Sequence, residues 1–343
     1  MRESVGTLSA AFRSSLANSR QLRINWRSQM NIQTRPDAMT AQDEYPTRVA
    51  GQERLMPRKD PVLWSEWSEG APISKAEAEH YDEKGYLVRR DMFDEDELKM
   101  LTEVADELRD GGAGIPDADL IREPDSDAVR TVFRLDRHSK VFRRLACDTR
   151  MAGVAEFLLN DQVYLHQSRL NYKPGFAGKE FYWHSDFETW HAEDGMPRMR
   201  AVSASVLLTP NGPHNGPLLL VPGSQGVFIS CAGETPEDNH ETSLKEQKVG
   251  VPQPTTIERL ARQAGGIDCA QGATGTVIFF ECNTLHGSNG NISPDPRANA
   301  FFVYNAMSNA LTEPFAAPSS RPDFLANREV PEAIAPVKGR LTA

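Results

Sequence analysis

The sequence predicts an α+β protein dominated by β-structure, with helices flanking the N-terminal side of a jelly-roll or β-sandwich core. Three observations carry that expectation. Helical hydrophobic spacing dominates the first 160 or so residues. Beyond them, short runs rich in β-branched and aromatic residues recur at 162–171, 200–209, 217–221, 274–280 and 299–306. Gly, Pro and Asn clusters separate these runs, with Asn215-Gly216 and Pro222-Gly223 as turn signals. Helices first and many short strands after fit a sheet-on-sheet core with helices packed to one side.

Taken in order, the chain opens on 38 residues that hold six Arg, no Lys and only Glu3 and Asp37 as acids. Leu8, Ala11, Phe12 and Leu16 stand at helical spacing, a pattern shared with organelle transit peptides. An upstream start codon gives the same picture, and we expect the native chain to begin at Met39, with 1–38 a disordered or mis-assigned extension and 39–343 a single domain. Pro46, Pro57, Pro61 and Pro72 break any helix before residue 73. Ser74-x-x-Glu77 is a capping box opening a helix over Lys75–Lys84, with Gly85 placed to stop it. Tyr86-Leu87-Val88 reads as a short strand. Asp94-x-x-Glu97 opens a second helix whose apolar stripe is Leu98, Leu101, Ala105 and Leu108. Met151, Val154, Phe157 and Leu158 mark a third near 149–159. The stretch 232–272 is irregular apart from a helix expected at Ile257–Gln263.

Composition bounds the function. Of 343 residues, 39% are hydrophobic and 25% charged, as in an ordinary globular chain. A net charge of −10 argues against nucleic acid or anionic lipid as a bulk partner. No apolar run approaches the roughly 20 residues of a membrane-spanning helix. Four scattered cysteines, Cys147, Cys231, Cys269 and Cys282, form no CxxC pair and fit reduced thiols in a cytoplasm.

The densest chemistry lies in Phe181-Tyr182-Trp183-His184-Ser185-Asp186-Phe187-Glu188-Thr189-Trp190-His191. Residues two apart on a strand face one way, so His184 and Asp186 can share a centre. With a distant His they would make the 2-His-1-carboxylate triad of non-haem Fe(II) oxygenases, which leaves metal positions open. By itself the pair equally describes two polar residues on a solvated face. The distant ligand is His286, expected at the end of the apolar strand 274–280 and followed by Gly287. Arg297 precedes another strand, and its guanidinium can fork onto a carboxylate with Ser288 as a second donor. That suggests a metal-chelating 2-oxo acid; viewed alone, Arg297 is also an ordinary surface ion pair. His80, His138, His191, His214 and His240 read as structural or solvated. On 162–171, alternation sets Gln167, Arg169 and Asn171 on the face opposite His166, making Gln167 and Asn171 candidate contacts. Trp183 and Trp190 fit ordinary core residues and are also candidates for an aromatic wall around a small cationic ring.

The longer stretch Trp183-His184-Ser185-Asp186-Phe187-Glu188-Thr189-Trp190-His191-x-Glu193-Asp194-Gly195-Met196-Pro197 resembles the signature of ectoine hydroxylases, a branch of the phytanoyl-CoA dioxygenase superfamily. The resemblance continues through Tyr45-Pro46-Thr47-Arg48, Asn215-Gly216-Pro217, Pro222-Gly223-Ser224, Ser243-Leu244-Lys245, Gly250-Val251-Pro252, His286-Gly287-Ser288 and Pro314-Phe315-Ala316-Ala317-Pro318. It runs from about Tyr45 to near Arg328 and leaves the first 38 residues unmatched. It implies a double-stranded β-helix, cupin-like, that binds Fe(II) and uses 2-oxoglutarate and O2 to convert ectoine into 5-hydroxyectoine. Carried over by position, His184, Asp186 and His286 are the iron ligands. Asn171, Ser288 and Arg297 are cosubstrate contacts, and Gln167, Thr189, Trp190, Phe133, Phe280 and Phe301 are substrate contacts. Gln225 stands where relatives usually carry His. The resemblance also implies a homodimer; a cytoplasm under osmotic stress suits the acidic balance.

Two other readings remain in view. One is a sister 2-oxoglutarate dioxygenase acting on another small amino-acid-like solute, separated by which substrate induces 2-oxoglutarate turnover. The other is an inactive jelly-roll binding protein, separated by Fe(II) binding. A zinc hydrolase could use the same ligands, but no HExxH motif supplies its base.

Overall fold

Helix starts and stops follow the side chains that satisfy their free backbone groups. The computed structural model describes residues 43–342 apart from 112–113, 124–127, 245–246 and 330–331. The N-terminal extension, Met39 and Lys245 lie outside the described residues. After strand β1 (Arg54–Pro57) comes helix α1 (Lys75–Lys84), with both halves of the Ser74/Glu77 capping box formed. Gly85 ends it at φ 80, donating its N–H to Tyr81 O. Strand β2 (Tyr86–Arg89) follows, then helix α2 (Glu95–Arg109), opened by a second capping box at Asp94. Of its predicted stripe, Leu101, Ala105 and Leu108 are buried and Leu98 packs half-buried against the same core.

A hairpin of β3 (Leu120–Arg122) and β4 (Val129–Phe133) leads into three helices: α3 (Leu135–His138), α4 (Lys140–Ala146) and α5 (Ala152–Leu159). The hairpin and the first two of these helices left no periodic trace in the sequence, because each is too short to show one. Nine further strands supply the sheets: β5 (Val163–Lys173), β6 (Phe181–His184), β7 (Ala201–Leu207), β8 (Leu218–Leu220), β9 (Val227–Ser230), β10 (Asp268–Ala270), β11 (Val277–Glu281), β12 (His286–Ser288) and β13 (Arg297–Ala306) join the earlier four. Between them lie helices α6 (Asp186–Thr189), α7 (Asn239–Ser243) and α8 (Pro254–Ala264), the last covering the predicted Ile257–Gln263.

One antiparallel sheet runs β2-β11-β7-β13-β5-β4-β3, and a smaller one runs β10-β8-β12-β6; β1 pairs with β9 alone. This is the jelly-roll core that the sequence predicted, flanked by helices. Side-chain alternation gives the large sheet two apolar faces. On β13, Ala300, Phe302 and Tyr304 belong to the core shared with α2, α4 and α5. Phe301 faces the other way, joining Leu207, Ile278 and Phe280 against Leu218 and Leu220 of the small sheet. The inner face of a sheet closed by a second sheet is where ligand side chains can converge out of water.

One expectation about facing changes. A register shift between Val303 and Tyr304 leaves His166 as an extra residue on β5. Strict alternation set its ring on the face away from Gln167. The bulge turns it instead toward Trp190, with ring centroids 5.2 Å apart, and brings Nε2 to 3.2 Å from Asp194.

Candidate active site

His184, Asp186 and His286 come from three different local structures. His184 closes β6, Ser185 is extended at φ −108 and ψ 128, and Asp186 begins α6. The two-residue spacing works because Ser185 continues the strand geometry for one step, although Asp186 itself sits on a helical turn. His286 opens β12 rather than ending the apolar strand, as the sequence suggested. The β11 strand stops at Glu281 and the chain crosses to the small sheet. There antiparallel register places His286 opposite His184. Phe187 N donates to Cys282 O at 2.8 Å and Ser185 Oγ to Asn283 Oδ1 at 2.9 Å, tying the two ligand-bearing turns together.

Each imidazole presents Nε2 inward. His184 Nδ1 lies 2.8 Å from Tyr182 O and His286 Nδ1 2.9 Å from Thr284 O. A carbonyl only accepts, so Nδ1 carries the proton and Nε2 keeps its lone pair. Asp186 lies 3.6 Å from His184 Nε2 and 3.9 Å from His286 Nε2, and one ligand atom from each residue falls within 4.8 Å of the others. These separations are long for hydrogen bonds and suit three donors sharing one ion. Burial, with His184 beside it, pushes the His286 pKa down to about 4 against the opposing pull of Asp186. Burial raises the Asp186 carboxyl, but His286, His184 and Arg169 outweigh it and hold the group ionised. The His286 imidazole and the Asp186 carboxylate are thus in their metal-binding forms at neutral pH.

The ligands face a cavity that also contains Gln167, Asn171, Thr189, Trp190, Phe133, Phe301, Ser288 and Arg297. Eleven of the twelve residues assigned from the sequence therefore share one chamber. Phe280 is the exception. It lies behind the site, with its ring 4.9 Å from that of His286. Trp183 packs with the Val221–Leu285 cluster instead, because its neighbour His184 takes the inward direction on β6. His80, His138, His191, His214 and His240 do not line the cavity. His191 is fully buried, bonded to Met196 O and Asp43 and stacked on Phe315.

Arg297 is 3% exposed, and no carboxylate among the described residues pairs with it. It donates to Gly216 O and Asn171 Oδ1, both at 2.6 Å, while its Nε has no partner. Burial, with Arg169 and Arg130 close by, pushes its pKa down to about 10. Gly216, at φ 76, lets the chain pass there; a Cβ would stand 2.5 Å from Asn289 O. A buried cation with an idle donor fits an anionic ligand.

The structure adds residues that the sequence reading left out. Lys173 donates to Ser288 Oγ at 2.8 Å and Asn289 O at 2.6 Å. Arg169 bonds Gln167 Oε1 and lies 4.9 Å over the Phe301 ring. Both continue the alternation of Gln167 and Asn171 along β5, so the signal that found those two extends to them. Arg130, Glu193, Asn239, Gln247, Arg321 and Leu325 also line the cavity. They come from separate parts of the chain, and no local pattern joins them.

Comparison with known proteins agrees with this geometry. The phytanoyl-CoA dioxygenase (PhyH) family matches residues 81–299. Ectoine dioxygenase of Sphingopyxis alaskensis is 52% identical over 300 residues, covering 88% of this chain and 98% of that one. This chain belongs to the ectoine dioxygenases, within the phytanoyl-CoA dioxygenase family. Crystal structures of EctD from S. alaskensis superpose with TM-scores of 0.81 with 2-oxoglutarate and 5-hydroxyectoine and 0.80 with bound Fe, each at 49% identity over 88% of this chain and all of that one.

Gln225 is the position that the sequence reading marked as a departure from the family's pattern. Gln225 Nε2 donates to Asp82 O and Glu83 O at the end of α1 and is not among the residues lining the cavity. Its role is to cap free helix carbonyls, which an amide N–H does as well as an imidazole N–H. Gly250 of Gly250-Val251-Pro252 is explained too. At φ 73 it crosses over the Arg48–Glu188 pair, where a Cβ would stand 2.1 Å from Glu188 Oε2.

Proposed function

We propose that this protein hydroxylates ectoine to 5-hydroxyectoine, using Fe(II), 2-oxoglutarate and O2. The observation that carries this is the convergence of the His184–Asp186–His286 cluster and the unpaired Arg297 on one cavity. Iron held there supplies oxidative decarboxylation of the 2-oxo acid to succinate and carbon dioxide, coupled to hydroxylation of an unactivated carbon. The protein's own part is to bind, orient and keep out water. His184, Asp186 and His286 hold the metal. Arg297, braced by Asn171, takes the far carboxylate of 2-oxoglutarate. Lys173 donates to Ser288, which leaves the Ser288 hydroxyl proton free for the same ligand.

For the substrate, Arg169 offers a guanidinium without a carboxylate of its own, held in plane by Gln167 and Phe301. It takes the ectoine carboxylate. Trp190, Phe133 and Phe301 wall the ring, Thr189 and Gln167 place polar contacts beside it, and Phe280 steadies the His286 imidazole from behind. Ser243, Leu244, Gln247 and Val249 close over the cavity, with Gln247 bonded to Thr189 at 3.2 Å. That cover keeps bulk water from the reacting carbon. The reading extends to a homodimer working in a cytoplasm under osmotic stress; light scattering of the purified protein checks the dimer.

The test is anaerobic reconstitution with Fe(II), 2-oxoglutarate and ectoine, followed by oxygen. One oxygen added at ring carbon 5, with equal succinate, is the expected result. Succinate released without hydroxyectoine would keep the dioxygenase and discard the substrate.

A further inference from the structure

Two sets of titratable side chains bear on the cavity. In the first, burial, Arg297 and Arg130 push the Lys173 pKa down, and burial, Arg169 and Arg130 push that of Arg297 down. The second set surrounds the turn Trp190–Asp194 that follows α6. Glu193 is 2% exposed and lines the cavity beside Trp190 and Thr189. Its Oε1 accepts from Arg48 Nη1 at 2.5 Å and from Asn239 Nδ2 at 2.8 Å. Its Oε2 accepts nothing from the described residues.

Arg48 is shared. Its Nε and Nη2 fork onto Glu188 at 3.1 and 3.0 Å, so one guanidinium serves two buried carboxylates. The adjoining pair is balanced: Arg321 forks onto Asp194 through Nε at 2.7 Å and Nη2 at 2.6 Å. His166 Nε2 lies 3.2 Å from Asp194 Oδ2. Arg321 is thus taken up by Asp194, and Glu193 has to share Arg48 with Glu188. The oxygen without a hydrogen bond belongs to the residue that faces the cavity. A buried carboxylate with an idle oxygen is costly unless a donor reaches it, and a charged donor suits it best.

Ectoine carries such a donor. It is a zwitterion whose ring is an amidinium, with positive charge spread over two N–H groups. We propose that Glu193 is the specificity-determining residue of the cavity, its Oε2 accepting a hydrogen bond from an amidinium N–H of the substrate. This rests on the ectoine reading above. Arg169 then meets the carboxylate and Glu193 the cation, so the cavity reads both charges of one small ring. Arg48 and Asn239 are positioning residues that hold the carboxylate toward the cavity.

The experiment compares two ligands on iron-loaded, 2-oxoglutarate-bound enzyme. One is ectoine; the other is 6-oxopiperidine-2-carboxylate, a neutral lactam with the same ring size and carboxylate. Calorimetry gives their affinities for the wild type and for Glu193→Gln. The wild type is expected to prefer ectoine at least tenfold. In the glutamine variant, ectoine affinity drops roughly tenfold to a hundredfold, the range of a hydrogen bond to a charged group. Lactam affinity, iron content and the 2-oxoglutarate KM stay within about threefold, so the preference collapses.

Equal weakening of both ligands would assign Glu193 a merely structural role and overturn the proposal, as would an unchanged preference. Should the glutamine variant fail to fold, Glu193→Asp retracts the carboxylate by one methylene. It must weaken ectoine and spare the lactam. Equal wild-type affinity for the two ligands overturns the assignment whatever any variant does. Wild-type enzyme that makes no hydroxyectoine removes the ectoine reading itself; hydroxylation with an unaltered ligand preference in Glu193→Gln removes Glu193 alone.

Discussion

At the residue scale, the site depends on side chains whose ionic state is set by burial. Replacing Asp186 with Ala, or His184 with Ala, removes one of three ion ligands. Hydroxylation is expected to fall at least about a hundredfold, with an unchanged far-ultraviolet dichroism spectrum. Normal turnover by either variant would sink the ligand assignment. Lys173 makes a different prediction. Burial, then Arg297 and Arg130, push its pKa down to about 6, against Glu180 and Glu123. A dicarboxylate favours the ammonium form, so the pKa rises on binding. Below pH 6 the amine is already charged and affinity is at its plateau. Above it, binding takes up a proton, and 2-oxoglutarate affinity falls by up to about tenfold per pH unit until the bound-state pKa is reached. Lys173→Gln is expected to bind more weakly at pH 6 and to lose that slope in titrations from pH 6 to 9.

At the element scale, one short segment carries both chemistry and four buried carboxylates, Asp186, Glu188, Glu193 and Asp194. Helix α6 and the turn after it run from Asp186 to Asp194, clamped by Arg48 from near one end of the described chain and Arg321 from near the other. Replacing Arg48 with Met would leave Glu188 and Glu193 without their guanidinium. Losing one partner of a buried pair costs about 3–5 kcal/mol, which chemical denaturation would show as a lower midpoint. Gly250→Ala places a Cβ against Glu188 Oε2 at a positive φ, and an expected loss of about 2 kcal/mol would appear in the same assay. Helices α1 and α2 were legible because their capping boxes and stripes are local. The bulge at His166, the helical turn at Asp186 and the new strand at His286 were not. Each is decided by pairing with residues far away in sequence.

At the scale of the whole molecule, Asp43–Ala343 forms one compact unit that contains every residue lining the cavity. A chain beginning at Met39 is therefore expected to keep kcat/KM for ectoine within about twofold of the full chain. Loss of turnover in a folded protein of that length would give residues 1–38 a part in the site. The large sheet divides the unit into an apolar, helix-backed half and an inner half where charge is admitted.

The sequence by itself indicated the class of fold, and its resemblance to the family singled out His184, Asp186, His286 and Arg297 as candidates, because strand alternation, capping boxes and the long Trp183–Pro197 stretch are contiguous signals. Tertiary structure alone decided which residues complete the chamber. Arg48, Glu193, Asn239 and Arg321 meet only when both sheets and their covering segments have closed. Charge balance is a property of neighbours in space, and spacing along the chain does not encode it.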